Sequence, residues 1–191
     1  MAAELTPVWE ATEARTGQAE PPPFWAFAWV GGQALARYVL DHPELVRNRC
    51  VLDFATGGGI VGIAAAMAGA QRVIATDLDP RALAAAAKNA DLNGVTLELR
   101  EEDWVGQRPP VDVLLSGDIC YERSVAARLT RWFSDLAQDG LPVFIGDGGR
   151  AFLPQRGLIV LHRASVATTR EIESQPQREA TVYRVSDAGC E

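Results

Sequence analysis

The chain holds 191 residues, 48% hydrophobic and 23% charged, with a formal net charge of −7 at pH 7. One soluble domain with a good-sized core fits that length and balance, and the acidic surplus argues against a nucleic-acid binder, whose footprint is a basic stripe. No apolar run reaches the ~18 residues of a membrane span, and the acidic start MAAELTPVWEATEA lacks the basic n-region or Arg-rich pattern of a targeting peptide, so a cytoplasmic protein is expected.

In chain order, residues 1–22 read as a polar lead-in running into Pro21-Pro22-Pro23, which cannot continue a helix or a sheet centre. Residues 23–191 read as a single domain. A helix is predicted from residue 31, where Leu35, Val39 and Leu40 recur at helical spacing until Pro43 stops it. Short apolar runs punctuated by Gly, Pro or Asp predict strands at 50–54, 72–76, 95–100, 111–116 and 141–146. Asp79-Pro80 is a cap followed by proline at the first helical position, and Asn93-Gly94 closes that helix. Over 122–139, Val125, Leu129, Trp132, Phe133 and Leu136 share one face, with Arg128, Arg131 and Asp135 opposite. The runs 158–168 and 180–186 have only a polar loop between them and read as a hairpin, which is expected to put an antiparallel strand at the edge of the sheet. The pattern predicts an α/β fold: a Rossmann-like, doubly wound, seven-stranded sheet, mostly parallel, with an antiparallel strand in its C-terminal hairpin.

Cys50, Cys120 and Cys190 are scattered without a C-x-x-C, and His42 and His162 stand far apart, so neither a disulfide framework nor a metal site is expected. The chemistry concentrates in VLDFATGGGIVG, residues 51–62, where Gly57, Gly59 and Gly62 fit the G-x-G-x-x-G pattern of a nucleotide loop. In an open parallel sheet the ligand lies beyond the carboxyl ends of the strands, where strand order reverses. Asp77, ending the second strand, can accept from both hydroxyls of a ribose, in a dinucleotide or in S-adenosylmethionine (AdoMet) alike. Asp53 discriminates, because a carboxylate beside the loop repels a pyrophosphate but receives the ammonium of AdoMet. A short-chain dehydrogenase would also need Tyr-x-x-x-Lys, and the sole lysine, Lys88, has Ala84 four positions before it. Asp103 and Trp104 follow the third strand, where an adenine would lie. Their side chains can accept from its exocyclic amine and cover its ring.

Three further stretches carry a family resemblance. They are PFWAFAWVGGQALARYVL at 23–40, LLSGDICYE with Asp118 and Tyr121 as D-x-x-Y, and VFIGDGGR ending the fifth strand. Together with the glycine loop they resemble the seven-β-strand (class I) protein lysine methyltransferases that share a D-x-x-Y motif. Within that group the sequence is similar to the electron-transfer flavoprotein β-subunit lysine methyltransferases and their bacterial relatives, from residue 23 to the region of residue 150. The resemblance implies AdoMet as cofactor, held by Trp29, Asp53, Gly57, Gly59, Asp77, Trp104 and Gly117. It implies Asp118 and Tyr121 as the motif residues at the reacting end. Asp118 would orient the acceptor amine and stabilise its developing charge; Tyr121 would wall the channel.

The implied partner is a protein presenting a lysine, the electron-transfer flavoprotein β-subunit, and the chain is expected to act as a monomer. Another protein lysine, an N-terminal amine or a small amine is the alternative acceptor. Ala55 and Gly148 depart from the family pattern, the latter standing where a proline is usual and leaving the shape of the substrate-side loop open. Asp147 and Arg150 read equally as a plain turn and as part of that loop.

Overall fold

One seven-stranded sheet organises the computed structural model, which describes residues 4–168, 173 and 175–187. Its strands are β1 (Cys50–Phe54), β2 (Arg72–Thr76), β3 (Glu98–Arg100), β4 (Val113–Gly117), β5 (Val143–Asp147), β6 (Leu158–Ala167) and β7 (Gln177–Val185), in the order β3-β2-β1-β4-β5-β7-β6. The first five run parallel, and β7 is antiparallel to both β5 and β6. The hairpin closes the sheet as the sequence predicts, but the inverted strand does not take the edge: β7 stands one place in, and β6 is outermost, because the second strand of the hairpin is the one that pairs with β5. The chain builds outward from β1 to β3, then returns to place β4 on the other side of β1. The carboxyl ends of β1 and β4 therefore flank the point of reversal, where a crevice opens.

Alternation along the buried strands sends side chains to two apolar layers. Val51, Val73, Val113 and Leu115 pack with Val30, Leu35 and Val39 of α2 (Val30–Asp41) and Val61 and Ala65 of α3 (Ile60–Met67). Leu52, Ile74, Leu114 and Ile145 pack on the other face against Leu129, Trp132, Phe133 and Leu136 of α5 (Arg123–Gln138). The helix after β2 is α4 (Pro80–Leu92), and Asp79 caps it by accepting from the Arg81 amide at 2.8 Å. Strand β3 is shorter than the predicted 95–100, keeping only its last three residues.

The polar lead-in contains a helix that its sequence does not signal, α1 (Leu5–Thr16). It has no continuous apolar stripe, so periodicity is silent; the helix is fixed from outside instead. Trp9 Nε1 donates to the Glu20 carbonyl at 2.7 Å, the Glu20 amide donates to Glu13 at 3.1 Å, and Glu20 pairs with Arg81 at 2.8 Å. These contacts lay Pro21 and Pro22 along the crevice.

His42 and His162, distant in sequence, both contact Tyr38: the His42 ring is tilted against it at 4.3 Å between centroids and the His162 ring stacks on it at 5.9 Å. Cys50 and Cys120 are free thiols; Cys190 lies outside the described residues. Among the described residues no cluster of acidic, His and Cys side chains is placed to hold a metal, and no helix is long and apolar enough to cross a membrane.

Candidate active site

The crevice is a cleft of about 430 Å³ along the carboxyl ends of β1, β2 and β4. Its floor holds Asp53, Gly57, Gly58 and Asp77; its far end holds Gly117, Asp118, Ile119, Tyr121 and Arg150; Phe24, Trp25, Phe27 and Trp29 form the front wall.

Asp53 is buried at the end of β1. Its Oδ2 accepts from the Thr56 hydroxyl and from the Gly62 amide at 2.7 Å, while Oδ1 takes no protein donor among the described residues. Burial pushes its carboxyl up to about 7, against those two hydrogen bonds and aided by the Asp77 charge. Gly62 makes this possible by its size, since a Cβ there would lie 2.8 Å from Asp53 Oδ2.

Asp77 works on the loop itself. Oδ2 accepts from the Gly57 amide at 2.9 Å and Oδ1 from the Asp79 amide at 3.0 Å, so one carboxylate ties the glycine loop to the start of α4. Gly57 lines the cleft, whereas Gly59 does not. Gly59 has φ +86° and caps α3, and a Cβ there would meet Ala86 of α4 at 3.1 Å, so its smallness serves helix packing.

At the far end, Asp118 has φ +52° and is buried. Its Oδ2 accepts from the Gly32 amide at 2.9 Å; its Oδ1 accepts from the Gly148 amide at 3.2 Å and from Arg150 Nε at 3.0 Å. The first contact satisfies an orphan amide in the opening turn of α2, where no local side chain caps the helix. It requires α2 to sit almost on the strands: a Cβ on Gly146 would fall 2.1 Å from the Gly31 carbonyl oxygen. Burial raises the Asp118 carboxyl, while Arg150 and the two amides pull it back down.

Gly148, one of the two positions that depart from the pattern the sequence resembles, supplies one of those amides; a proline has no N–H to give.

Arg150 is the residue that sequence reasoning left undecided. Besides Asp118, it donates to Glu173 from Nη2 at 2.7 Å and Nη1 at 3.3 Å, and its guanidinium stands 5.1 Å from the centre of the Trp29 ring. Asp147 Oδ1 accepts from the Arg150 amide at 2.8 Å. Glu173 is buried and also pairs with Arg178, whose Nε donates to the Gly148 carbonyl at 2.7 Å. No motif spacing signals Glu173 or Arg178, because they arrive from the hairpin.

Two predicted residues do not join the cleft. Asp103 is exposed, accepts from the Val105 amide at 2.9 Å and faces Arg128 at 3.5 Å. Trp104 packs into the layer beneath α5, with its Nε1 buried and without a partner. Both are absent from the cleft walls. The loop after the three-residue β3 turns them toward α5. Tyr121 stands at the mouth, 60% exposed.

This strand order, with a carboxylate on each side of the reversal point, is the fold of the class I methyltransferases. Among solved structures the chain resembles a ribosomal protein L11 methylase from Lactobacillus delbrueckii subsp. bulgaricus (TM-score 0.57, 20% identity, 84% of this chain and 81% of that one). It also resembles the magnesium protoporphyrin IX methyltransferase from Synechocystis PCC 6803 with bound SAM (TM-score 0.56, 15% identity, 81% and 78%). The family model for ribosomal protein L11 methyltransferase (PrmA) matches residues 34–119.

Relatives that bear the name electron transfer flavoprotein beta subunit lysine methyltransferase include the following three. The Xenopus laevis protein is 36% identical over 168 residues, 84% of this chain and 68% of that protein. The Danio rerio protein is 41% identical over 134 residues, 69% and 52%, and the Homo sapiens protein 38% over 138 residues, 67% and 50%. The chain belongs to the electron-transfer flavoprotein β-subunit lysine methyltransferase family. It spans about two thirds of the length of the first of these relatives and about half that of the other two.

Proposed function

We propose that the protein is an AdoMet-dependent protein lysine N-methyltransferase acting on the β-subunit of electron-transfer flavoprotein. The observation that carries the cofactor is the charge of the cleft floor. Asp53, Asp77 and Asp79 all line it, an environment that repels a pyrophosphate and suits a ligand with a cationic end. The free Oδ1 of Asp53 meets an ammonium. Asp77, already fixed by two backbone amides, retains lone pairs for ribose hydroxyls.

When bound, AdoMet supplies an electrophilic methyl group on a sulfonium. The chain's residues do the rest by positioning and electrostatics. Asp118, held by three donors, offers the rim of a fixed carboxylate to the incoming amine and stabilises positive charge as it develops on nitrogen. Tyr121 and the aromatic wall of Phe24, Trp25 and Trp29 enclose the lysine stem. A lysine amine has a reference pKa near ~10.4 and must arrive neutral. No histidine lines the cleft among the described residues, so the amine loses its proton to water at the mouth.

Incubating the protein and radiolabelled AdoMet with purified flavoprotein and, in parallel, with a cell lysate, then mapping peptides, tests the reading. Methylated lysines on the β-subunit are expected. An unmodified flavoprotein beside another labelled lysate protein would retain the transferase and reject the substrate. Calorimetry in which NAD binds more tightly than AdoMet would reject the cofactor.

A further inference from the structure

Arg150 occupies an unusual place for a permanent cation. Its side chain is only 16% exposed, lines the cleft and touches Asp118, the carboxylate nearest the proposed acceptor. In an amine-binding site a positive charge repels the protonated acceptor, so it demands a reason. Its nitrogens are engaged by Asp118 and Glu173 and its own amide by Asp147, which fixes its position. Its central carbon lies over the Trp29 ring and occupies that face as a cation–π seat, denying it to a substrate ammonium.

Consider what a lysine meets on reaching Asp118. An isolated buried carboxylate would favour the ammonium, raising the amine's pKa and holding the unreactive form. A carboxylate paired with a guanidinium through Oδ1 presents a reduced charge that no longer traps the cation, while Oδ2 stays a fixed acceptor for an amine N–H and for positive charge developing on its nitrogen. We propose that Arg150 is a positioning residue of the acceptor site, which partly offsets the charge of Asp118 and thereby selects the neutral amine over the ammonium. Glu173 and Arg178 hold Arg150 in place from the hairpin.

The inference rests on the methyl-transfer reading and explains how that transfer proceeds without a dedicated base. The other charged or titratable groups facing this pair are Asp147 at the end of β5, Glu173 and Arg178 from the hairpin, and Cys120 and Tyr121 after β4. Asp53, Asp77 and Asp79 lie along the same cleft. Helix α2 contributes none, only the Gly32 amide and Trp29.

The test is the pH dependence of kcat for flavoprotein methylation in Arg150→Met and Arg150→Lys, with Arg150→Gln in place of the first if it does not fold. Removing the charge is expected to move the rising midpoint up by about one pH unit and to lower kcat at neutral pH about tenfold, with AdoMet affinity unchanged. Lysine is expected to restore the midpoint. A rate that falls equally at every pH with an unmoved midpoint overturns the proposal, as does a lysine variant displaced as far as methionine.

Carbon-13 NMR of the Asp118 carboxyl provides a readout that needs no turnover, and the charge-free variant is expected to titrate at higher pH than the unaltered protein. If the unaltered protein methylates nothing, the functional reading fails. This titration then decides the pairing alone, identical curves overturning it.

Discussion

Asp118→Asn tests the acceptor end most directly, because the carboxylate has two separable duties there. Asparagine keeps the shape but turns one acceptor into a donor. Its single oxygen must face the Gly148 amide and Arg150, or else the Gly32 amide; it cannot serve both sides, which approach different oxygens at 2.9–3.2 Å. One buried N–H then confronts an NH2, at a cost of about 1–3 kcal/mol. Arg150 loses one of its two carboxylates but keeps Glu173, so the loss stays below the ~3–5 kcal/mol of a wholly broken buried pair.

A destabilisation of about 2–3 kcal/mol is expected, a fall of about 1–2 M in urea midpoint for a typical m-value. Methyl transfer is expected to fall about a hundred- to a thousandfold through loss of the preorganised charge, with AdoMet affinity measured by calorimetry nearly unchanged. Raising the pH to about 9–10, toward the amine's own range, is not expected to restore the rate, since what is missing is a charge and not a base. An unchanged urea midpoint would refute the hydrogen-bond reasoning, and recovery at high pH would refute the electrostatic role.

Asp53 makes stability and binding depend on pH in opposite directions. Its folded value, about 7, lies above the ordinary 3.8. The folded state therefore holds the extra proton, and stability falls as pH rises through that window, by at most about 4 kcal/mol, before levelling off. A bound ammonium favours the ionised form, so AdoMet is expected to bind more tightly as pH rises through the same window and to release a proton. Calorimetry in buffers of differing ionisation enthalpy measures that release, which Asp53→Asn is expected to abolish.

Asp77→Ala removes the acceptor for the Gly57 and Asp79 amides; AdoMet is expected to bind more weakly by about 1.5–3 kcal/mol, and an unchanged dissociation constant would count against the ribose assignment. Gly62→Ala gains helix propensity of about 1 kcal/mol but sets a methyl 2.8 Å from Asp53 Oδ2. Lower thermal stability and lost cofactor binding are expected, checked by a melt with and without AdoMet.

Local and periodic features could be read before folding. Alternating apolar runs and capped helices implied the doubly wound sheet, since hydrophobic period and helix stops are short-range properties. The loop chemistry was equally local: Asp53 lies near the end of β1, Gly57 and Asp77 follow the ends of β1 and β2, and all three lie on the cleft floor. What the sequence could not carry was anything assembled across the chain. Helix α1 is held by Trp9 and by a Glu20–Arg81 pair, contacts that leave no periodic trace. Asp103 and Trp104 have the right residue types but turn toward α5, where Trp104 packs into the layer beneath the helix and Asp103 faces Arg128, long-range contacts that no local pattern announces.

The Asp118 site depends most on tertiary structure. Its donors come from α2 and from the loop after β5, and one of them, Arg150, is fixed by donating in turn to Glu173 between β6 and β7. A motif names a residue by its neighbours in sequence, whereas the charge on Asp118 is governed by neighbours in space, and these meet only when the sheet closes beneath α2.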